Sequence, residues 1–273
     1  MTAHPRLAAL VAVLVAVLAL PGCGNKDEAT PAAGGGGGGG LGVPDPPLSH
    51  PRAEGRAAQL QSKENLKKIG TAFHLHHDVN NALPAGFCDK SGKVILSWRV
   101  QILPHVEAAD LFNQFHFDEP WDSFHNKALI EKMPKVFAPP GDRNTHGHTY
   151  YRAFTGQGTA LQPQKRGPPP EKLDPSFGWP AVGMRITEIT DGTSNTVVVA
   201  EATDSVIWTK PDELEYAADK PVPKIGGSVL DEGYHLLSAD GSVRFFPKPL
   251  PEKVLRALIT ANGGETINPK DLD

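Results

Sequence analysis

An apolar run from Leu7 to Leu20 breaks off at Pro21-Gly22-Cys23, and a long stretch poor in apolar residues separates it from everything that can build a core. The run follows a short start containing His4 and Arg6, the three-part pattern of a bacterial secretory signal with a small residue just before the cut. It is shorter than the roughly 20 apolar residues that a membrane-spanning helix needs. Residues 24 to 52 are dominated by Gly, Pro, Ala and charged side chains, with unbroken glycine from Gly34 to Gly40. Such a segment buries too little apolar surface to offset the entropy of ordering it. The sequence therefore divides into a signal over residues 1–22, a tether over 23–52 and one globular domain over 53–273.

Cys23 at the cut resembles the lipobox cysteine of bacterial lipoproteins, with Pro21 where Ala or Ser is more usual. That resemblance implies a diacylated thiol, palmitate-like chains in the bilayer, and Cys23 as the mature N-terminus. Two acyl chains hold a protein on a membrane where one does not. The expected location is the extracytoplasmic side of the cell membrane or outer membrane, with the head on a leash reaching roughly 30 Å. An ordinary cleaved signal and a free secreted protein is the alternative.

The formal net charge of −4 has no basic cluster, which argues against a nucleic-acid partner. The chain has two cysteines. With Cys23 acylated, Cys88 has no disulfide partner, and it reads as an idle or buried thiol ahead of a nucleophile. Paired cysteines of a zinc site are absent from the sequence, and no cofactor is expected.

The periodicity predicts an amphipathic helix from about Arg56 to Val79, with Ala58, Ser62, Leu66, Ile69, Phe73 and His76 or His77 on one face. Asn80-Asn81 and Pro84-Ala85-Gly86 stop it. Val94 to Leu103 reads as a strand, and Val106–Phe115 and Ser123–Met133 as short helices, the second capped by Asp122 or Ser123. Val136-Phe137-Ala138 reads as a short strand, and Gln162 to Pro180 as a surface loop. Thr196 to Ala202 fits a buried strand. His235 to Phe246 fits a hairpin around Asp240-Gly241, with a type I′ turn expected. A last helix starts at Pro251 and runs through Ile259, with Asn262-Gly263-Gly264 as a glycine C-cap.

Several of these segments carry a family resemblance. Ser62-Lys63-Glu64-Asn65-Leu66-Lys67-Lys68-Ile69-Gly70, His74 to Asp78 and Leu83-Pro84-Ala85-Gly86 look like the opening of a large planctomycete family. It is catalogued as a domain of unknown function, number fifteen-fifty-nine. Ser97-Trp98-Arg99-Val100, Pro120-Trp121-Asp122, Ile189 to Thr196, Val199-Ala200-Glu201-Ala202, Trp208-Thr209-Lys210-Pro211 and Ala239 to Phe245 follow in the same order. The likeness runs from about Ser62 to Ile267. Most members resemble pseudopilins of type II secretion or type IV pilus systems. The resemblance implies an α+β, pilin-like fold: an N-terminal amphipathic helix on an antiparallel sheet, with inserted short helices and loops. It implies no known activity. Here the apolar pilin helix is replaced by lipobox and tether, so bundling of such helices in a filament core is unavailable. The family's usual His before the terminal Asp-Gly is Leu230, with His235 nearby. Cysteines common in members are replaced by Ser62 and Ala138, as if one cross-link had been lost.

Four groups of residues invite chemistry. His74, His77 and Asp78 share a helix face and offer two imidazoles and a carboxylate to a metal, or they simply meet the helix dipole. His146 and His148 are further ligands if the fold brings them near. The Asp191-Gly192-Thr193-Ser194-Asn195-Thr196 segment packs polar groups as a catalytic turn does, but it lacks protease or Gly-x-Ser-x-Gly signatures and reads as a backbone-bonded turn. Glu201 and Asp204 are a possible catalytic or Ca²⁺-binding pair. Trp98, Trp121, Trp179 and Trp208 are a sugar-stacking face or core, with Trp208 the best exposed contact. The sequence thus favours a lipid-anchored interaction or scaffold module that engages envelope or secretion-system proteins near Trp208, Asp191 and Asn195. An extracytoplasmic hydrolase or metal enzyme, and a glycan- or solute-binding protein, are the rivals.

Overall fold

The computed structural model describes residues 51–140, 146–164, 179–227, 230 and 233–272. The signal, Cys23, the tether as far as residue 50 and residues 165–178 of the expected loop lie outside them. Helix α1 (Pro51–Asn80) begins five residues earlier than its periodicity suggests. Its inner face holds Ser62, Asn65, Leu66, Ile69, Ala72, Phe73 and His76, each at most 3% exposed. The helix ends on Asn81, at φ 51°, whose N–H donates to the His77 carbonyl at 2.7 Å. That is the left-handed residue an asparagine tolerates after a last turn.

Two sheets follow. The first has order β2-β1-β4, from β1 (Pro84–Cys88), β2 (Val94–Leu96) and β4 (Trp179–Val182). The second has order β6-β3-β5-β7-β8, from β3 (His148–Gly156), β5 (Val197–Ile207), β6 (Leu214–Tyr216), β7 (Tyr234–Ser238) and β8 (Val243–Phe246). Pairing is antiparallel except for β3 with β6. Short helices α2 (Trp98–Gln101), α3 (Ala109–Phe112) and α4 (Phe124–Lys127) are inserted between β2 and β3, and α5 (Glu252–Ile259) closes the chain. The α+β class holds, with two sheets in place of one and a parallel edge pair in the larger.

α1 lies against β7 and the β7–β8 hairpin. The approach is close because Gly70 has no side chain: a Cβ there would stand 3.0 Å from Leu237 Cδ1 and 3.1 Å from Gly241 Cα. Phe73 meets the edge of Trp98 with ring centres 5.1 Å apart, and Phe137 stacks on Trp208 at 5.9 Å. These rings fill the main core between α1, the short helices and both sheets. A second cluster packs α5 through Leu255, Leu258 and Ile259 against Phe154, Ala200 and Leu236.

Four local expectations are corrected. The strand from Val94 stops at Leu96 because Ser97 caps α2, its hydroxyl accepting from Arg99 N–H. Val136-Phe137-Ala138 lies in and after a 3₁₀ turn over Lys135–Phe137 that follows Pro134. The hairpin turn has only Gly241 at positive φ, with Gly241 N–H donating to Ser238 O at 2.9 Å. That fits a three-residue loop with a left-handed glycine better than a type I′ turn. Finally, α5 ends at Thr260 in extended conformation, bridging to Thr159, so Gly263 and Gly264 do not cap it.

Candidate functional site

The most concentrated polar chemistry lies inside the fold. β5 is buried continuously from Val197 to Ala202, and Glu201 is 1% exposed in the middle of the sheet. Tyr151 on β3 is its register partner, β7 brings His235 from the other side, and α1 lays Ser62 across the top. The Ser62 hydroxyl donates to Glu201 Oε1 and lies 2.9 Å from the Tyr151 hydroxyl. Glu201 Oε2 accepts from the His235 backbone N–H at 2.6 Å and lies 3.2 Å from its Nδ1. Asn65 Nδ2 donates to Tyr151 OH at 3.3 Å and to the Ala138 carbonyl at 3.2 Å. Asn65, three residues along α1 from Ser62, thereby ties the helix to the segment carrying Ala138. Burial pushes the Tyr151 phenol well above its ordinary pKa.

Serine, carboxylate and histidine meet here in an order unlike that of a nucleophilic triad. In a triad the imidazole stands between hydroxyl and carboxylate and takes the hydroxyl proton. Here the carboxylate stands between, and every member is sealed from solvent. Such a network, with its partners satisfied, specifies one packing of the core. Asp204 does not join Glu201. It is exposed, in the irregular stretch between the Thr149–Val206 and Tyr151–Glu201 pairs, which corrects the expected carboxylate pair.

The other candidates are dispersed. His77 Nε2 accepts from Ile186 N–H at 3.2 Å, His74 borders Gly241, and Asp78 is exposed. His148 Nδ1 lies 3.0 Å from Ser205 Oγ, on a different element. Among the described residues, no three His, Cys, Asp or Glu side chains are placed to hold a metal. Burial, with Asp89 adding to it, pushes the Cys88 thiol up, the reverse of what activates a nucleophile.

Asp191 and Asn195 act on the backbone. Asp191 Oδ2 and Oδ1 accept from the N–H groups of Gly263 and Gly264 at 2.7 and 3.0 Å. Asn195 Nδ2 donates to the Asp191 carbonyl at 3.3 Å. The turn ties the end of the chain to the start of β5. Trp208 corrects its expectation as an exposed contact: it is 0% exposed, and its Nε1 donates to the Ile130 carbonyl at 2.9 Å. Its motif reads as a loop in sequence, but the ring is drawn into the aromatic core beside Phe115 and Phe137.

The residues just after Trp208 do reach a surface. Lys210, Pro211, Asp212 and Glu213 line a cleft of about 400 Å³ together with Ala85, Val94, Ser97 and Trp98. The wall is held by Arg99, fully buried, whose guanidinium meets Glu213 at 2.8 and 3.2 Å and the Tyr151 carbonyl at 2.6 and 3.0 Å. Ala153 N–H completes Glu213 at 2.7 Å. Burial lowers the Arg99 pKa and Glu213 opposes that shift. The cleft was missed in the sequence because its walls come from five separate segments. The Ser97-Trp98-Arg99 and Trp208 to Pro211 motifs were its only visible signals.

A family model described as a protein of unknown function (DUF1559) matches residues 50–224. The match starts earlier than Ser62 and stops short of the Asp240-Gly241 hairpin. No curated protein and no solved structure matches the chain. Because α1, both sheets' central strands and the Arg99–Glu213 wall all fall within a match covering well over half of the sequence, the chain belongs to the DUF1559 family.

Proposed function

We propose that this protein is an extracytoplasmic lipoprotein, anchored through acylated Cys23, whose head binds or scaffolds other envelope proteins and does not catalyse. The observation that carries the reading is the placement of the head's reactive groups. Ser62, Glu201 and His235 are sealed in a network that joins α1 to the sheet, and Asp191 is occupied by backbone N–H groups. The cleft is lined by none of His74, His77, Asp78, Glu201 or His235, and the charged groups that do line it are engaged in ion pairs: Glu213 with Arg99, Asp212 with Arg152 and Lys210, and Glu215 with Lys220. An enzyme would gather such groups around an accessible concavity. Of the tryptophans, Trp98 alone lines the cleft, which gives a sugar ring one aromatic wall where stacking sites use several.

The lipobox at Leu20 to Cys23 and the glycine-rich segment behind it support the anchored arrangement. No described helix is long and apolar enough to cross a membrane. Crosslinking in intact cells with a photoreactive residue at Lys210 or Glu215, followed by identification of the captured proteins, tests the scaffold reading. Recurrent capture of envelope or secretion components is expected. Recovery of the crosslinker bound only to water-quenched or lipid products overturns it. Mass spectrometry of the mature N-terminus tests the anchor separately.

A further inference from the structure

The larger sheet ends on β6, and that edge has no backbone partner among the described residues. The edges of the smaller sheet are occupied: Trp121 N–H donates to Ile95 O on β2 at 3.1 Å, and Gln164 N–H donates to Val182 O on β4 at 2.8 Å. β6 also differs from β8, the other end of its sheet, in what lies beside it. Glu213 and Glu215 line the 400 Å³ cleft together with Thr155, the register partner of Glu215 on β3. The apolar part of the lining comes from Ala85, Val94, Trp98, Leu161, Pro163 and Pro211. Trp98 Nε1 is buried with no hydrogen-bond acceptor among the described residues.

We propose that the β6 edge and its cleft take an extended peptide segment of a partner protein, added as a strand beside β6. This rests on the interaction-module reading above and names its surface and ligand chemistry. A strand laid on a free edge gains main-chain hydrogen bonds, and its alternate side chains fall on one face. The cleft lies on the Glu215 face of β6, so side chains on that face of an added strand fall beside its apolar lining. Glu215 decides the occupant. It is the middle residue of β6, its side chain is 75% exposed, and its salt bridge to Lys220 is long, at 3.7 Å. A second copy of β6 laid across it would set two carboxylates opposite each other, which is destabilising. A partner strand carrying Lys or Arg at that position, flanked by β-branched residues, is matched in both charge and shape. The Arg99–Glu213 pair keeps the wall rigid beforehand, so little ordering is needed on binding.

The test is fluorescence anisotropy of the full chain in detergent micelles against a labelled acetyl-Thr-Val-Lys-Val-Thr-amide probe. A saturable change is expected. N-methylation of alternate probe amides is expected to weaken it by about tenfold, through lost strand hydrogen bonds. E215K is expected to weaken the lysine probe by about three- to fivefold and to strengthen a probe with Glu in place of Lys by a similar factor, the scale of an exposed ion pair. Because Glu215 is exposed, this variant keeps the fold, and circular dichroism checks it. No binding at millimolar probe, binding indifferent to N-methylation, or no exchange of preference in E215K each overturns the proposal. Failure here with successful capture of envelope proteins in cells would leave the scaffold reading standing and remove only this surface. The converse pattern would place peptide binding outside the envelope.

Discussion

Arg99 and Glu213 are joined across 114 positions of sequence by hydrogen bonds of 2.8 and 3.2 Å, with side-chain exposures of 0% and 8%. The pair holds α2 to the segment leading into β6. Breaking one side of a buried pair leaves the other charge without compensation, which costs about 3–5 kcal/mol. Arg99→Met is therefore expected to lower unfolding free energy by that amount. The double variant Arg99→Met, Glu213→Leu is expected to recover part of the loss, since it leaves no stranded carboxylate. Urea denaturation of the two variants gives the comparison, and equal stability of wild type and Arg99→Met would contradict it.

Trp208 is predicted to matter to stability ahead of binding. Trp208→Phe removes the hydrogen bond to Ile130 and part of the ring, at a cost of about 1–3 kcal/mol. A surface recognition residue would show a change of less than about 0.5 kcal/mol. Thermal and urea melts separate the two outcomes.

His76 makes the fold acid-sensitive. Burial is the main cause that lowers its pKa to about 4, against a contact of 3.1 Å between Nδ1 and the Ala82 carbonyl that raises it. The unfolded imidazole takes a proton near its ordinary pKa of about 6.5, whereas the folded one resists. The contribution is thus fully present above pH about 6.5 and is lost as pH falls toward about 4, reaching roughly 3 kcal/mol. His76→Asn is expected to flatten stability between pH 7 and pH 4.5. An unchanged slope in that variant would assign the acid sensitivity elsewhere.

Asp191 is predicted to act on the last segment of the chain. Asp191→Ala leaves the Gly263 and Gly264 N–H groups to water and is expected to cost about 1–2 kcal/mol, the scale of a lost cap. The effect should appear as faster hydrogen exchange over residues 260–266. Unaltered exchange there would show that other contacts hold the segment.

The sequence revealed the elements whose signal is local. α1 shows its stripe in Leu66, Ile69 and Phe73, and β5 shows its burial in consecutive Val197, Val198 and Val199, so both are legible in sequence, although α1 starts five residues before Arg56 and β5 runs five residues past Ala202. Ser97 and Pro134 redirect the chain within one or two residues, and a capping hydroxyl outweighed the β-branched composition of Val94 to Leu103. What remained hidden depends on distant partners. Nothing in Trp208-Thr209-Lys210-Pro211 indicates that Ile130, Phe115 and Phe137 wait to receive the ring. Glu201 stood out as a carboxylate at a strand end, yet Ser62 and His235, which complete it, lie 139 and 34 positions away. The stacked, solvent-facing pair of His116 and His125, with ring centres 3.5 Å apart, was also missed. Asn126 builds that loop by donating to the carbonyls of His116, Glu119 and Pro120.

The Ser62 contact has a mechanical meaning. Ser62 lies ahead of Leu66, Ile69 and Phe73 on α1, so tension entering at the front of the helix meets its hydroxyl before it reaches the packed side chains. Through Glu201 and Tyr151 that load passes at once into two adjacent strands of the larger sheet. A rivet at this point means that peeling the helix past Ser62 must first break buried hydrogen bonds to two strands, whereas the turns ahead of it are not held by this contact.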